Sequence, residues 1–418
     1  MDGVEEVDGV EEAGAGAEDE PPRVPRGSVL EVLLVATRLG LTSFGGPIAH
    51  LGYFRDEYVV KRRWLDDKTY ADLVALSQFL PGAASSKVGM SIGILRAGLP
   101  GGLVAWLGFT LPSAIALTVA AIALRGVDGD TVRLLHGLKV VAVAVVAQAV
   151  WGMAKNLAPD RPRATIAIAA AAAVLLLPTS IGQVAVIGIA ALIGWRFLRS
   201  GQVAGGPGGS VPIPRWLGIA AWILLFGLLI GLPLARTLVS SQPLAVFDSF
   251  FRAGSLVFGG GHVVLPLLQS EVVPPGWIDQ DQFLGGYGLA QAVPGPLFTF
   301  SAYLGAAMEP EPNGVLGASI ALIAIFLPSM LLTIGTLPWW GTLRTRPSVQ
   351  ASLRGINAAV VGILLAALYN PVWTSAILRP VDFVLAICAF GLLVFWRCPP
   401  WLVVLLAGAV GAVVAGST

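Results

Sequence analysis

Five long runs of uncharged, mostly apolar residues constrain this chain more than any other feature of its sequence. The runs cover 100–124, 140–154, 216–235, 315–338 and 399–415. Several approach the roughly 20 apolar residues that an α-helix needs to cross the hydrocarbon core of a bilayer. A single run could belong to a signal peptide, but runs spread along the whole chain could not. The sequence therefore predicts an all-α polytopic membrane protein.

The composition of the 418 residues agrees with a bilayer environment. Hydrophobic residues make up 56% of the chain and charged residues only 12%, whereas soluble domains carry about 25% charged residues. The net charge of +1 argues against a nucleic-acid partner, because binding nucleic acid requires a clustered basic face. Cys388 and Cys398 lie in or beside apolar segments, so we interpret them as small buried residues without a disulfide or a metal.

Shifts in composition divide the chain into units. The first twenty residues hold nine acidic residues and no base, which predicts a disordered, solvated tail over 1–27. Residues 201–214 are rich in Gly, Pro and Ser, as is typical of a linker. We predict a first repeat over 28–199, a linker with a connecting transmembrane helix over 200–238, and a second repeat over 239–418. Each repeat contains about six apolar segments, so we expect about thirteen in all.

The two repeats are recognisable from matching landmarks. Arg38 begins the segment R-L-G-L-T-S-F-G-G-P, and Arg252, 214 residues later, begins R-A-G-S-L-V-F-G-G-G. Three further pairs follow in the same order, namely W-L-D at 64–66 and W-I-D at 277–279, Q-F-L-P-G at 78–82 and Q-A-V-P-G at 291–295, and L-P-S at 111–113 and 327–329. Four matching landmarks in one order indicate duplication rather than chance.

Loop charges predict that the two repeats have opposite orientations in the membrane. Lys and Arg mark the cytoplasmic side of a membrane protein. The loop 55–68 contains five basic residues, whereas its counterpart 269–282 contains three acidic residues and no basic one. The helix near 216–238 supplies the odd number of crossings that inverts the second repeat. Charges after both Q-x-x-P-G segments, at Arg96 and Glu309, further predict that each segment folds as a broken or re-entrant hairpin.

Glycine and proline interrupt both repeats at corresponding places. F-G-G-P at 44–47 and F-G-G-G at 258–261 permit unusual backbone angles, and proline breaks the helix at Pro81 and Pro294. Corresponding breaks of this kind typically mark the binding site of a secondary transporter. A helix that restarts after a break directs free N–H groups and the positive end of its dipole into the cavity, which suits an anion. The alternative interpretation is that these small residues only let helices pack closely.

Polar and basic side chains near the breaks are further candidates for an anion site. Arg38 and Arg252 precede the glycine motifs, and their alternative role is to snorkel to the membrane interface. Lys87 lies in an otherwise apolar or small segment, where a charge is costly unless it serves a ligand or a partner. Gln78 and Gln291 could donate to an oxyanion or instead bond the carbonyls freed by the break. The predicted substrate-binding residues are Arg38, Phe44, Gly45, Gly46, Pro47, Gln78, Pro81, Gly82, Ser85, Ser86, Lys87, Arg252, Gly259, Gly260, Gly261, Gln291, Pro294 and Gly295.

Two of the three histidines flank the glycine motifs. Either His50 or His262 could take up protons and couple them to transport. The alternative is that both are packing histidines with satisfied ring nitrogens. The chain shows no H-E-x-x-H, C-x-x-C, P-loop or dinucleotide motif, and its histidines are scattered. We therefore expect no catalytic residue, no metal and no cofactor.

These motifs together resemble the chromate ion transporter family. The resemblance is carried by F-G-G-P-I-A-H at 44–50, F-G-G-G-H-V-V-L-P at 258–266, and the pair Q-F-L-P-G and Q-A-V-P-G-P, and it covers about residues 28–416. Long-chain members of that family are likewise two fused homologous halves of opposite orientation. The resemblance implies a plasma-membrane carrier for chromate, generally regarded as efflux that confers chromate resistance, with sulfate as the structural analogue. The first repeat departs from the family's P-G-P pattern, because it reads Pro81-Gly82-Ala83.

The sequence leaves three functions open. The first is a secondary transporter for a tetrahedral divalent oxyanion, in which the inverted repeats rock about a shared site. The second is an anion channel or a sulfate-type carrier on the same scaffold. The third is a membrane-embedded enzyme or redox subunit, which is disfavoured because the chain lacks acid–base clusters and paired histidines. The expected partners are the lipid bilayer and a small inorganic oxyanion, and a homodimer is a further candidate arrangement.

Overall fold

The computed structural model describes residues 27–44, 46–124, 130–177, 179–198, 213–258, 261–343 and 346–416. Within these ranges every regular element is helical and no strand occurs, so the predicted all-α fold is confirmed. Nearly all of the acidic tail and most of the Gly/Pro/Ser-rich linker lie outside the described residues. Gly45, Gly259 and Gly260 of the predicted site lie outside them as well.

Short polar side chains begin several helices of the first repeat. The helices up to the linker and the connecting helix are α1 (Val29–Thr42), α2 (Gly46–Phe54) with a π-helical continuation (Arg55–Lys61), α3 (Asp67–Phe79), α4 (Ala84–Ala123), α5 (Asp130–Leu157), α6 (Arg161–Leu176), α7 (Ser180–Phe197) and α8 (Arg215–Leu238). The side chains of Ser28, Asp66, Asp160 and Thr179 accept backbone N–H groups in the first turns of α1, α3, α6 and α7. Such caps satisfy donors that a helix start otherwise leaves unpaired.

The second repeat follows a similar order with more interruptions. Its helices are α9 (Gln242–Leu256), α10 (Val264–Val272), α11 (Gln280–Ala292), α12 (Phe300–Ala307), α13 (Gly314–Thr336), α14 (Trp340–Leu343), α15 (Pro347–Ala367), α16 (Thr374–Ala376), α17 (Pro380–Val394) and α18 (Pro400–Gly416). Single 3₁₀ turns, Gly261–Val263 and Leu297–Thr299, precede α10 and α12. Asp279 caps α11 as its counterpart Asp66 caps α3.

Several of these helices are suited to the interior of a bilayer. Five helical segments in the described part of the chain are long and apolar enough to cross a membrane, at Ala84–Ala123, His136–Leu157, Arg215–Leu238, Gly314–Trp339 and Pro347–Ala376. The connecting helix α8 exposes Trp216 and Ile223, each 68% accessible. Large apolar side chains on such a surface are expected where lipid replaces water. The polytopic membrane class is therefore confirmed.

The first two apolar segments of each repeat are broken. In the first repeat, α1 ends at Thr42 and α2 begins at Gly46, and α4 contains non-helical backbone at Ala97 and Gly98. Helix α3 and the first part of α4 form a hairpin whose outer ends meet, because the Arg96 guanidinium lies 5.0 Å from the Trp64 ring centroid. Helices α11 and α12 form the corresponding hairpin in the second repeat. Its outer ends are joined by a 2.9 Å hydrogen bond from the Glu309 N–H to the Trp277 carbonyl.

The two repeats interlock through reciprocal helix packing. Helix α5 packs against α17 and α18 of the second repeat, while its counterpart α15 packs against α6 and α7 of the first. Small residues permit these close approaches: a methyl group on Gly355 or Gly362 would collide with the backbone oxygen of Ala190 or Ala167. At these helix crossings the glycines have a packing role, as expected for membrane helices.

Candidate functional site

Two backbone hydrogen bonds cross between the repeats at the predicted breaks. The Gly82 N–H donates to the Val257 carbonyl at 2.7 Å, and the Gly295 N–H donates to the Ser43 carbonyl at 2.9 Å. Gly82 and Gly295 are equivalent in the repeat, with φ values of 101° and 105°, a region that favours glycine. The Pro-Gly turn of each repeat is thus bonded to the chain just before the F-G-G motif of the other. The structure brings all four interruptions to one place.

The L-P-S motifs support these turns, but not in the same way. The Ala83 N–H donates to Ser329 Oγ at 3.1 Å. At the position equivalent to Ala83 the second repeat has Pro296, which has no N–H to offer. Ser113, the counterpart of Ser329, donates instead to the Thr110 carbonyl of its own helix at 3.1 Å. The difference between P-G-A and P-G-P therefore has a structural consequence, one additional hydrogen bond between the repeats.

A cavity lies where the glycine motifs of the two repeats meet. Residues of both repeats line it, among them Gly46, His262, Gln291, Gly295 and Pro400, and the space between its lining atoms, including the part open to the outside, is about 310 Å³. Helix α2 begins at its wall, and so does the 3₁₀ turn that leads into α12. Both starts direct unpaired N–H groups and positive dipole ends toward the same region.

Gln291 and His262 are the polar side chains of this wall. The Gln291 Nε2 atom is buried and has no hydrogen-bond partner in the described part of the protein. His262 faces Gly46 across the cavity, since a methyl group on Gly46 would lie 3.9 Å from His262 Nε2. Among the described residues, no acidic side chain lines the cavity. The wall therefore offers hydrogen-bond donors without negative charge, which suits an anion.

A buried tyrosine holds His262 in place. The Tyr287 hydroxyl lies 2.7 Å from His262 Nδ1, so the other ring nitrogen is the one turned toward Gly46. The Tyr287 ring packs edge-on against Phe300 with centroids 5.7 Å apart. His50, the other candidate for proton coupling, is buried with Nδ1 3.2 Å from Ser85 Oγ. Its Nε2 has no partner among the described residues, and His50 is not part of the cavity wall.

Lys87 is fully buried, and its partners are backbone carbonyls. Its amino group donates to the Leu80 carbonyl and, at 2.9 Å, to the Pro81 carbonyl. These carbonyls lie just beyond the C-terminal end of α3, where a positive group is favoured by the helix dipole. Ser85 and Ser86 next to it are buried as well. Lys87 thus satisfies backbone carbonyls that the break between α3 and α4 leaves without helical partners.

The two predicted arginines have different surroundings. Arg252 bonds Asp248 at 3.1 Å and Glu271 at 3.0 Å, and Asp248 also bonds Arg236 at 2.8 Å. Arg38 is exposed, and no ion pair joins it within the described ranges. Neither arginine lines the cavity.

The remaining predicted residues lie around the cavity or outside it. Pro47 is near Gly261, on which a methyl group would lie 3.6 Å from the proline ring. The Phe44 ring packs 6.2 Å from that of Trp401. Gln78, the counterpart of Gln291, is exposed. Pro294 lies between two residues of the cavity wall.

Sequence reasoning missed Tyr287 and the supporting role of the L-P-S serines. A signal for Tyr287 was present, because it precedes Gln291 by four residues and therefore shares a face of the same helix. Ser113 and Ser329 were visible as repeat landmarks, but a landmark does not say which turn it contacts. Pro400 carries no motif that points to the cavity.

The fold and this cavity define a class of protein. Broken helices from two related halves that meet at a buried polar cavity are characteristic of secondary membrane transporters. Within the described residues no group of three or more His, Cys, Asp or Glu side chains could hold a metal ion.

Comparison with known proteins then gives the family. A family model described as chromate transporter matches residues 30–195 and 244–412, and the chain belongs to this family. The chain is 27% identical to a chromate transport protein of Pseudomonas aeruginosa, covering 78% of this chain and 77% of that protein. It is 24% identical to the chromate transport protein of Cupriavidus metallidurans, covering 93% and 94%. It is 26% identical to an uncharacterized transporter of Methanocaldococcus jannaschii, covering 81% and 83%. No solved structure matches.

These findings confirm the resemblance seen in the motifs. The protein is a multi-pass membrane transporter and not an enzyme.

Proposed function

We propose that this protein is a secondary transporter that moves chromate, or a sulfate-like oxyanion, through the cavity between its two repeats. The observation that carries the proposal is the shared wall, in which Gly46 of the first repeat faces His262, Gln291 and Gly295 of the second. Two relatives named chromate transport protein support the choice of oxyanion. Efflux across the plasma membrane, with resistance to chromate as its result, is the proposed direction, and a homodimer stays a prediction.

The chemistry of the wall favours a small anion over other solutes. Helix starts at Gly46 and Leu297 supply backbone donors, and the Gln291 amide adds a donor without a protein partner. A tetrahedral oxyanion can accept hydrogen bonds from several directions at once. Arg38 and Lys87 lie outside the wall and add positive potential at longer range, whereas the charge of Arg252 is compensated by Asp248 and Glu271. Such longer-range fields concentrate an anion without holding it too tightly to leave.

The proposed inversion of the repeats is supported by contacts at helix ends. Lys139 near the start of α5 forms a 2.8 Å ion pair with Asp281 at the start of α11. Arg354, the counterpart of Lys139, donates to the Leu198 carbonyl beyond the end of α7 at 2.7 Å. Helices α5, α6 and α7 are joined by short connections and so run antiparallel in turn. The starts of α5 and α15 then lie at opposite ends of the helix bundle.

Accessibility of engineered cysteines tests the inversion in the membrane. A membrane-impermeant thiol reagent should label a cysteine in loop 55–68 and one in loop 269–281 from opposite faces. Labelling of both cysteines from the cytoplasmic face would rule out inverted repeats.

Alternating access follows if the repeats rock about the crossed backbone bonds. Opening one side of the cavity separates the helices on that side while the bonds from Gly82 and Gly295 keep the halves in register. His262 is the proposed site of proton coupling, because one ring nitrogen faces the cavity while Tyr287 binds the other. His50 occupies no equivalent position, since its counterpart in the repeat is Val264.

Replacement of Gln291 tests the proposed site. Gln291→Leu removes the unpartnered amide donor and should reduce uptake of labelled chromate and sulfate into everted vesicles by about tenfold or more, since each 1.4 kcal/mol of lost binding is tenfold. Gln148→Leu is the matched control, because Gln148 lies on α5 and bonds the Leu393 carbonyl away from the cavity. If both variants lose uptake equally, at equal amounts of protein in the membrane, the cavity is not part of the transport pathway.

A further inference from the structure

A second cavity lies between the repeats, away from the one described above. It comprises about 620 Å³, including the part open to the outside, and is lined by α6 and α7 of the first repeat and by α10, α15 and the π-helical segment Leu368–Trp373 of the second. Its wall includes Val174, Leu175, Gln183, Gln269 and Asn370. None of the described residues that line it carries a charge. Its preference for a ligand must therefore come from backbone and amide groups.

The backbone around this cavity presents oxygens. Val174 and Leu175 are in the last turn of α6, where carbonyls lack the donors of a further turn. Position 178 is proline, so no N–H is available for the Val174 carbonyl, and the Thr179 N–H donates to Leu177 rather than to Leu175. Helix α10 also reaches the cavity with its C-terminal turn, whereas α15 passes the cavity where it continues into the π-helical segment. The negative ends of α6 and α10 therefore lie at this cavity.

Gln183 provides the independent sign that a ligand belongs there. Its side chain is buried, with 4% of the residue accessible, and its Oε1 atom has no hydrogen-bond partner in the described part of the chain. Gln183 belongs to the first turn of α7, where Thr179 Oγ accepts the Gly182 N–H at 3.0 Å and the Thr179 carbonyl accepts the Gln183 N–H at 3.0 Å. A buried acceptor without a donor indicates a positively charged or donating occupant.

We propose that this second cavity binds a monovalent inorganic cation of the size of Na⁺ or K⁺. Neutral amide and carbonyl oxygens are the ligands that transporters and channels offer to such ions. Divalent cations are disfavoured, since their sites in proteins rely on carboxylates and no described residue of this wall has one. Asn370, where the backbone leaves the helical region at φ −131° and ψ 114°, lies at the exposed edge of the cavity, and its Oδ1 also accepts from the Thr374 hydroxyl at 3.4 Å.

Helix α10 links the two cavities physically. His262, in the 3₁₀ turn that leads into α10, lines the first cavity, and Gln269 near its C-terminal end lines the second. Seven residues separate them, about 10 Å at the rise of an α-helix. An anion at the positive end and a cation at the negative end of one short helix stabilise each other. The coupling is reciprocal, so the cation should raise the affinity for the anion and the anion that for the cation.

Only the role of the cation site in transport rests on the proposed function. Binding of the cation to the protein can be measured separately. Purified protein in lipid nanodiscs is titrated with labelled Na⁺, with unlabelled Na⁺, K⁺ and choline as competitors. We expect saturable binding that Na⁺ or K⁺ displaces and choline does not. Gln183→Leu should weaken it by about tenfold, the effect of losing about 1.4 kcal/mol. Gln183→Glu, which keeps the size and adds a negative charge, should strengthen it, while Gln148→Leu leaves it unchanged.

If Gln183→Leu proves hard to purify, stronger binding by Gln183→Glu alone supports the site, and unchanged binding by Gln183→Glu counts against it. Binding that no variant alters, or no saturable binding, overturns the proposal and leaves a solvent-filled cavity. Chromate uptake in vesicles containing Na⁺, K⁺ or choline distinguishes the two proposals. Uptake that occurs equally in all three solutions leaves transport intact and refutes cation coupling, whereas cation binding without any uptake refutes the proposed transport instead.

Discussion

Replacing Ser329 by alanine tests the asymmetry between the two Pro-Gly turns. Ser329 and Ser113 are counterparts in the repeat, and both are buried, with 0% and 1% of the residue accessible. Only Ser329 accepts a hydrogen bond across the repeats, from the Ala83 N–H. Ser329→Ala leaves that buried N–H without a partner, which costs about 1–3 kcal/mol. Ser113→Ala removes only a donor to a carbonyl of the same helix and should cost less than about 1 kcal/mol.

A double-mutant cycle isolates this bond. Ala83 has φ −67°, within the range of proline, so Ala83→Pro converts the first turn to the P-G-P sequence of the second at an allowed backbone angle, with the ring Cδ directed at Ser329 Oγ in place of the N–H. In the Ala83→Pro background residue 83 has no N–H, so Ser329→Ala leaves no donor unpaired. Ser329→Ala should then cost no more than Ser113→Ala does in the native chain, and the difference between the two backgrounds is the coupling energy.

The free energy of unfolding can be measured by titrating the protein in mixed micelles with a denaturing detergent and following Trp fluorescence. The prediction is a clear loss for Ser329→Ala, a small loss for Ser113→Ala, and disappearance of the difference when Ala83 is proline. An undiminished cost of Ser329→Ala in the Ala83→Pro background would refute the role assigned to the Ala83–Ser329 bond.

Three further changes probe the cavity and its support. Gly46→Val should reduce anion uptake by about tenfold or more, because Gly46 has φ 76° and faces His262 in the cavity, and Gly52→Val is the control since its Cβ position is open. Tyr287→Phe removes the bond to His262 and should lower uptake by roughly 2- to 13-fold, the equivalent of about 0.5–1.5 kcal/mol, whereas Tyr303→Phe in the same aromatic cluster should have little effect. Lys87→Ala should nearly abolish uptake while the protein stays in the membrane, because the carbonyls of Leu80 and Pro81 lose their donor. Lys155→Ala, on the exposed surface of α5, is the control and should leave uptake unchanged.

The fold class and the landmarks of the site were predictable from the sequence because they depend on local properties. Apolar runs determine which segments lie in a bilayer, and glycine and proline determine where their helices break. The pairing of Gly82 with Val257, and of Gly295 with Ser43, was not predictable. It depends on how one repeat is rotated against the other, which repeated motifs in one chain do not specify.

The same limit explains why equivalent residues differ in their surroundings. Arg252 has Asp248 one helical turn before it, whereas the matching position before Arg38 is Leu34, so their different ion pairing could have been read from the sequence. Gln291 lines the cavity and Gln78 is exposed, although both precede a Pro-Gly turn by three residues. That difference arises from packing between repeats and has no local signal.

Counterflow of labelled anion in proteoliposomes tests the central claim most directly. Wild-type protein is reconstituted, the vesicles are loaded with unlabelled chromate or sulfate, and entry of the labelled anion is followed against empty vesicles. We expect saturable entry that internal anion accelerates, because a carrier returns faster when loaded, and loss of that entry in Gln291→Leu. Entry that neither saturates nor responds to internal anion would indicate a channel, and no entry above protein-free vesicles would contradict oxyanion transport altogether.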